Sequence, residues 1–401
     1  MTAARNLWQD AVVADEDQRV TEIRRVLEGI LGVPATEGNL IEVLRNGDEI
    51  FPAMLESIDA AEHTIDFLTF VYWRGEIGTA FAESLSARSR EGVRVRVLLD
   101  AWGSRPIERG LIEMMEEAGV LVRWYRPLHR FQPTKMNHRT HRKVIIVDET
   151  TAFTGGVGIA DEWKGDARNE YEWRDTHFRI QGPAVDGLRA AFLDNWLETD
   201  PTLYDPNTDR FPNHPQVGAT VIQCVRGASE MGWSEMSTLL LALLQLAEDR
   251  IRITTAYFVP DAELTERLCD TADRDVAVEI LLPGPHGDKR FVQIAGQASF
   301  EELTEHGVRI WQFQPSMLHA KILTVDGIVA SIGSANINAR STELDEEINL
   351  VTLDRELAGL LDRQFDEDIE RSEEIDLGRW QERSLGRRAL EAITKPVRRK
   401  M

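Results

Sequence analysis

Two short stretches of this 401-residue chain place a histidine and a lysine two positions apart: His141 and Lys143 in "HRKVIIVD", and His319 and Lys321 in "HAKILTVD". Side chains alternate along an extended strand, so each histidine shares a face with its lysine. An imidazole beside an ammonium group offers a nucleophile or proton carrier next to a cation that can hold a phosphate oxygen. Both stretches run on through four mostly apolar residues to Asp148 or Asp326, and after six more residues reach a small-residue loop, Gly155–Gly158 or Gly333–Asn336. Small residues let backbone N–H groups approach an anion. Asp148 and Asp326 lie at the strand ends on the opposite parity, which assigns them mainly a structural role in the turn. A lone His-x-Lys pair is weak information, but a whole pattern recurring with one internal spacing is strong.

The elements around these pairs repeat as well, and a repeat indicates which residues are expected to face each other. "HTIDFLTFVYW" (His63–Trp73) reads like "DRIRITTAYFVP" (Asp249–Pro260), each an alternating β-rich run after an amphipathic helical stretch. Further strands follow in each half: Val93–Asp100 and Gly119–Tyr125 in the first, Val276–Pro283 and Gly307–Phe313 in the second. Alternating strands and helices predict an α/β sandwich with helices flanking mixed sheets. Four prolines between Thr199 and Gly218 place a linker there. The predicted order is a helical extension over 1–45, a first domain over 46–198, the linker 199–218, a second domain over 219–376 and a basic tail over 377–401.

Composition narrows the function classes. Cys224 and Cys269 are the only cysteines, too few for a disulfide framework, and a cytoplasmic setting is expected. Met1–Asp17 lacks the apolar core of a secretory signal. The most apolar run, Leu239–Leu246, is far short of the roughly 20 residues needed to span a bilayer. The net charge of −22 opposes polyanions, so no nucleic-acid partner is expected. The last stretch, Arg379–Met401, reverses that average, with eight Lys and Arg against Glu382 and Glu391. It reads as an interaction tail or a solvated helix end. No cofactor and no catalytic metal are expected: His138 and His141 would face opposite ways on a strand, and no Cys or carboxylate cluster completes a shell. His129, His214, His286 and His306 are expected to be surface or structural residues.

The paired pattern resembles the phospholipase D superfamily, whose signature H-x-K-x4-D-x6-G-S-x-N occurs twice per chain. The second copy, "HAKILTVDGIVASIGSAN", matches at every defined position; the first, "HRKVIIVDETTAFTGGVG", has Gly156 for the Ser and Gly158 for the Asn. Flanking stretches, "AFTGGVGIADEW", "EWRDTHFRIQGPAV", "YFVPD" and "ARSTELDEEINL", look like the bacterial cardiolipin synthase branch, over roughly Gly47 to Leu377. The resemblance implies two homologous α/β sandwich domains related by a pseudo-twofold, with one active site between them. Its signature puts His141, Lys143, Asp148, His319, Lys321 and Asp326 in the catalytic set, and Lys143, Lys321, Ser334 and Asn336 around the phosphate. Asp175 and Glu347 follow the first and second motifs, and the resemblance implies that they orient the two histidines. It implies a phosphohistidine route with His141 as nucleophile and His319 as acid, then base. Phosphatidylglycerol would be the substrate and cardiolipin the product, with the basic tail on an anionic membrane surface at the cytoplasmic leaflet. A hydrolytic phospholipase D, a nuclease or other phosphodiesterase, and a scaffold with a decayed site remain as alternatives.

Overall fold

A computed structural model describes residues 18–127, 137–201, 207, 209–227, 234–376 and 378. In the first repeat the apolar runs form β1 (Thr36–Arg45), β2 (Thr64–Thr69), β3 (Arg94–Asp100), β4 (Leu121–Tyr125), β5 (Val144–Val147), β6 (Thr151–Gly155) and β7 (Thr176–Gln181). In the second they form β8 (Thr220–Gly227), β9 (Arg250–Thr254), β10 (Phe258–Val259), β11 (Ala277–Pro283), β12 (Arg309–Phe313), β13 (Ile322–Val325), β14 (Val329–Gly333), β15 (Ile337–Asn338), β16 (Glu347–Leu353) and β17 (Ser372–Glu374). Every residue of β2, β5 and β16 is buried, as strands covered on both faces must be.

The two repeats are built alike. Outward from their junction the first half runs β1-β7-β6-β5-β2-β3-β4 and the second β8-β16-β14-β13-β9-β11-β12-β17. In each half the three strands farthest along that common order pair in parallel and the rest antiparallel, giving the mixed sheet expected. One buried cross-strand ion pair recurs with its charges exchanged: Arg96 binds Asp66 on β2, and Glu279 binds Arg252 on β9.

Two features differ from the sequence reading. The extension over residues 1–45 is helical from 18 to 31, but Thr36–Arg45 is a full strand that pairs with β7 and, through Thr36 and Asn39, with β8. It joins the two sheets into one of fifteen strands among the described residues. Its short, interrupted alternation hid it, because its outward residues contact the neighbouring half. The second difference concerns cores. Each half has its own, Phe51, Phe67 and Phe81 in one and Leu243, Ile280 and Ile310 in the other. A third combines Phe178, Phe192 and Trp196 with Ile332, Ile348 and Leu361, so the halves share apolar burial as well as strands. The 199–218 segment separates two repeats, and the basic tail lies outside the described residues. No helix among the described residues is long and apolar enough to cross a membrane.

Asp148 and Asp326 do the same work in each half. Asp148 accepts hydrogen bonds from the backbone N–H groups of Glu62, His63 and Thr64 at 2.7–2.9 Å. Asp326 accepts from Glu248, Asp249 and Arg250 at 2.8–3.0 Å. Both have positive φ, 50° and 51°, a conformation that aspartate tolerates better than most residues. Each thereby clamps the turn after its motif strand to the start of β2 or β9. The signature implies a catalytic place for these two carboxylates, but both are spent on backbone and belong to the fold. Asp148→Ala strands three donors and is expected to lower stability by about 1–3 kcal/mol, read as a shifted midpoint in urea.

Candidate active site

His141 and Lys143 lie just before β5, and His319 and Lys321 just before β13, in extended segments outside the sheet proper. Each segment is held by the opposite half. Thr140 forms an isolated parallel bridge with Glu346, and Leu318 forms one with Arg174. The His141 N–H donates to the Glu346 carbonyl at 2.8 Å and the His319 N–H to the Arg174 carbonyl at 2.7 Å. In return the Glu346 N–H donates to Arg139 and the Arg174 N–H to Met317, both at 2.8 Å. The residues that follow Glu346 and Arg174 are Glu347 and Asp175. One backbone register therefore delivers a carboxylate from each half to the histidine of the other.

The side chains complete the crossing. His141 Nδ1 lies 3.0 and 3.1 Å from the Glu347 carboxylate oxygens and 3.1 Å from the Ser334 carbonyl. A carbonyl can only accept, so Nδ1 carries the proton and Nε2 keeps a free lone pair. His319 Nδ1 lies 2.9 Å from Asp175 Oδ2. Sequence order, in which each carboxylate follows the motif of its own half, suggests pairing within a half; the structure pairs them across halves.

All six groups are nearly or wholly withdrawn from water: His141 retains 8% of its accessible surface, His319 5%, each lysine 3%, and Asp175 and Glu347 none. Lys143 Nζ donates to the His141 carbonyl at 2.6 Å, and Lys321 Nζ donates to the His319 carbonyl. Lys321 Nζ also lies 3.3 Å from His319 Nε2. Burial lowers the proton affinity of both lysines, Lys321 to about 7, because an ammonium in a low-dielectric interior loses its hydration. Burial, then the charges of Lys143, Lys321 and Lys289, holds His141 well below its ordinary value. Burial and Lys321 bring His319 to about 3 against the pull of Asp175. Burial works to raise Asp175, but His319, Lys321 and Trp163 outweigh it and leave it at about 2. Burial raises Glu347. Both imidazoles are thus neutral near pH 7.

Ser334 does not face a ligand: its hydroxyl donates to Glu347, as does that of Ser341. It orients the carboxylate and is not part of a phosphate shell. The first loop explains its own departure from the signature. A Cβ on Gly156 would lie 2.3 Å from Asp175 Oδ1, and one on Gly158 2.6 Å from the Val71 Cβ. The indole of Trp163 takes the serine's part, its Nε1 donating to Asp175 at 2.8 Å. Trp163 and Trp173 stand 5.2 and 5.5 Å from the His319 ring, with Tyr257 at 6.2 Å; Phe70 meets His141 edge-on at 5.2 Å. These aromatics carry no spacing of their own, although Trp163 and Trp173 sit in the flanking stretches "AFTGGVGIADEW" and "EWRDTHFRIQGPAV".

A cavity of about 530 Å³ opens onto His141, lined also by Asn336, Tyr257, Lys289, Arg340 and Trp102. The Asn336 side-chain carbonyl oxygen is buried and has no hydrogen-bond partner among the described residues. Of the other histidines, His138 lies on the Leu344 carbonyl, His214 on Asp186, His286 on Glu170 and His306 on Asp273, His63 is near Glu62, His177 is buried, and His129 lies outside the described residues. Among the described residues no group of three or more His, Cys, Asp or Glu could hold a metal.

A sequence profile described as "Cardiolipin synthase, PLD-like domain" matches residues 54–171 and 240–369, one segment in each half. The chain belongs to this family. Cardiolipin synthase 1 of Bacillus cereus is 33% identical over 360 residues, spanning 88% of this chain and 70% of that protein. A cardiolipin synthase of Geobacillus kaustophilus is 34% identical over 339 residues, 84% and 67% of the two chains. Among solved structures, phosphatidylserine synthase of Haemophilus influenzae superposes with a TM-score of 0.74 at 14% identity, covering 95% of this chain and all of that one. That likeness concerns the fold, and it extends over both of the segments that the profile matches.

Lys321 gives a pH-dependent test. Its folded value of about 7 lies below the ordinary 10.5, so its contribution to stability is fully present above 10.5 and is lost as pH falls to 7. Lys321→Met is therefore expected to be more stable than the parent at pH 7, with the gain shrinking toward pH 10.5 in urea titrations. Removing the neighbouring cation also raises His319 from about 3, read by NMR titration of its ring carbons.

Proposed function

We propose that this chain is a phosphatidyltransferase that makes cardiolipin from two phosphatidylglycerol molecules through a phosphohistidine. The observation that carries the reading is the crossed pair of imidazoles, each held by the other half's carboxylate, beside two buried ammonium groups in a chain of the cardiolipin synthase family. Two histidines are needed because one must attack as a neutral base while the other delivers a proton to the departing alkoxide.

His141 is the nucleophile. Of the two imidazoles it is the one that lines the large cavity, and Glu347 and the Ser334 carbonyl fix its tautomer with Nε2 outward. Nε2 attacks phosphorus, the bond from phosphorus to the glycerol oxygen breaks, and glycerol leaves with a proton from His319. In the second step the acceptor hydroxyl gives its proton to His319 as its oxygen attacks, and the P–N bond breaks. His319 must be protonated for the first step, although burial and Lys321 keep it neutral in the free protein. The phosphodiester anion supplies the correction: seated between Lys143 and Lys321, it offsets the charge that repels a proton from the ring. Lys143, Lys321 and the Asn336 amide would hold the non-bridging oxygens, stabilising the charge that concentrates there at the transition state.

The substrate is a membrane lipid, and the protein is proposed to act at the cytoplasmic face of the membrane. Arg379–Met401 would supply attachment, each Lys or Arg near an anionic leaflet contributing about 1 kcal/mol. Vesicle co-sedimentation of a chain truncated before Arg379 tests the attachment; binding equal to that of the full chain would refute it.

Purified protein incubated with phosphatidylglycerol vesicles is expected to yield cardiolipin and glycerol in equal amounts. Phosphatidic acid as the sole product would make it a hydrolase and sink the transferase reading. His141→Ala is expected to abolish formation of a phosphorylated protein, and Asp175→Asn or Glu347→Gln to slow turnover by roughly 10³–10⁴-fold, as loss of an imidazole-orienting carboxylate does elsewhere. Radiolabelled lipid in single-turnover quench provides the measurement.

A further inference from the structure

The cavity beside His141 is lined by three side chains of permanent positive charge, and they are not equivalent. Arg139 is bound to Asp100 at 3.0 and 3.2 Å, and Arg340 to Asp345 at 2.7 and 3.1 Å. Lys289 has no carboxylate oxygen within 4.0 Å among the described residues; its ammonium rests 4.5 Å from the centroid of the Tyr257 ring. The carboxylate next to it in sequence, Asp288, is occupied by the Tyr257 hydroxyl at 2.8 and 2.9 Å. A cation over an aromatic face keeps most of its charge for a ligand, since the ring supplies a weak, neutral partner.

Lys289 is also well placed and firmly held. It stands at the end of the loop after β11, as the residue before helix Arg290–Gln297, and its carbonyl accepts from Val292 at 2.9 Å and Gln293 at 3.2 Å. The Gln293 side chain ties the start of that loop at Gly284, 3.0 Å away, and His286 in its middle meets Glu170 of the first half at 3.4 Å. The Tyr257 ring beneath Lys289 turns its edge to His319. An anion on Lys289 would therefore sit in the same cavity as the nucleophile and on the side of the proton carrier, yet on neither motif lysine.

The transfer reaction needs such a place. Its acceptor is a second phosphodiester anion, whose attacking hydroxyl is joined to its own phosphate through a three-carbon glycerol. Lys143 and Lys321 are taken up by the phosphorus under attack, so the acceptor's phosphate must be held elsewhere, and water as acceptor has no such requirement. Resting on the phosphatidyltransferase reading above, we propose that Lys289 binds the phosphate of the acceptor lipid and so selects an anionic lipid alcohol over water for attack on the phosphohistidine. The acceptor's O–H proton passes to His319, its oxygen bonds to phosphorus and the P–N bond to His141 breaks.

The test is a partition measurement, which is independent of how much of a variant folds. The full chain, Lys289→Met and Lys289→Arg are each given phosphatidylglycerol vesicles, with and without a short neutral alcohol. Cardiolipin, phosphatidic acid and the alcohol's phosphatidyl ester are quantified together. Lys289→Met is expected to lower the ratio of cardiolipin to phosphatidic acid by about tenfold or more, to leave the ratio of the neutral ester to phosphatidic acid at the parent's level, and to regain cardiolipin in Lys289→Arg. An unchanged cardiolipin ratio in Lys289→Met, or an equal fall in the neutral ester, would overturn the role of Lys289 while leaving the transferase intact. Absence of cardiolipin from the parent reaction would overturn both.

Discussion

The site depends on a backbone register. Two isolated parallel bridges, Thr140 with Glu346 and Leu318 with Arg174, fix where each half's extended motif segment lies against the other half. The side chains of the next residue on each strand then have little choice: His141 meets Glu347 and His319 meets Asp175. Backbone hydrogen bonds tolerate only small errors in distance and angle, so they transmit position more faithfully than a contact between long side chains could. The shared sheet through β1 and β8 and the mixed core around Phe192 and Leu350 hold the two halves at the spacing those bridges require. Neither half alone contains a histidine with its orienting carboxylate.

That arrangement carries an electrostatic cost which the surroundings are built to contain. Two lysines, two imidazoles and two carboxylates are buried together, where an unpaired charge is strongly unfavourable. Each lysine is tied to the carbonyl of its own histidine, and each carboxylate accepts additional hydrogen bonds, from Ser334 and Ser341 on one side and from Trp163 on the other. Behind them Arg142 donates to the Ala191, Glu347 and Gly227 carbonyls, and Arg174 grips Asp368. The cations of the site are consequently dehydrated and lowered in proton affinity, and the phosphate proposed to lie between them would offset that cost.

Much of this was legible in the sequence, for reasons that differ by element. The doubled motif, the repeated strands and the α/β class could be read because a repeat doubles every weak periodicity, and the family they pointed to is the one the chain belongs to. The histidines and lysines were visible through their spacing. The partners were not, because pairing across halves is a property of the pseudo-twofold, and sequence order places Asp175 and Glu347 nearest the wrong histidines. Strand β1 was missed because its amphipathic pattern answers to the other half. Ser334 was misplaced because a serine in a phosphate-binding signature looks the same whether its hydroxyl faces the ligand or the carboxylate behind it. Lys289 and the aromatic wall had no periodic signal at all; only packing brings them to the cavity.

The two halves have diverged where the chemistry is directional. His319 sits against Trp163, Trp173 and Tyr257, while His141 touches Phe70 and opens onto the cavity. The first loop's glycines accommodate Asp175 and Val71 under the indole of Trp163, whereas the second loop keeps Ser334 and Asn336. In the mechanism proposed above, an aromatic enclosure shields the proton carrier from bulk water, while an open approach suits a nucleophile that must reach phosphorus. The glycines that stand in the first loop where the second has Ser334 and Asn336 make room for Asp175 and Val71, so the departure from symmetry lies in the shell behind the histidines.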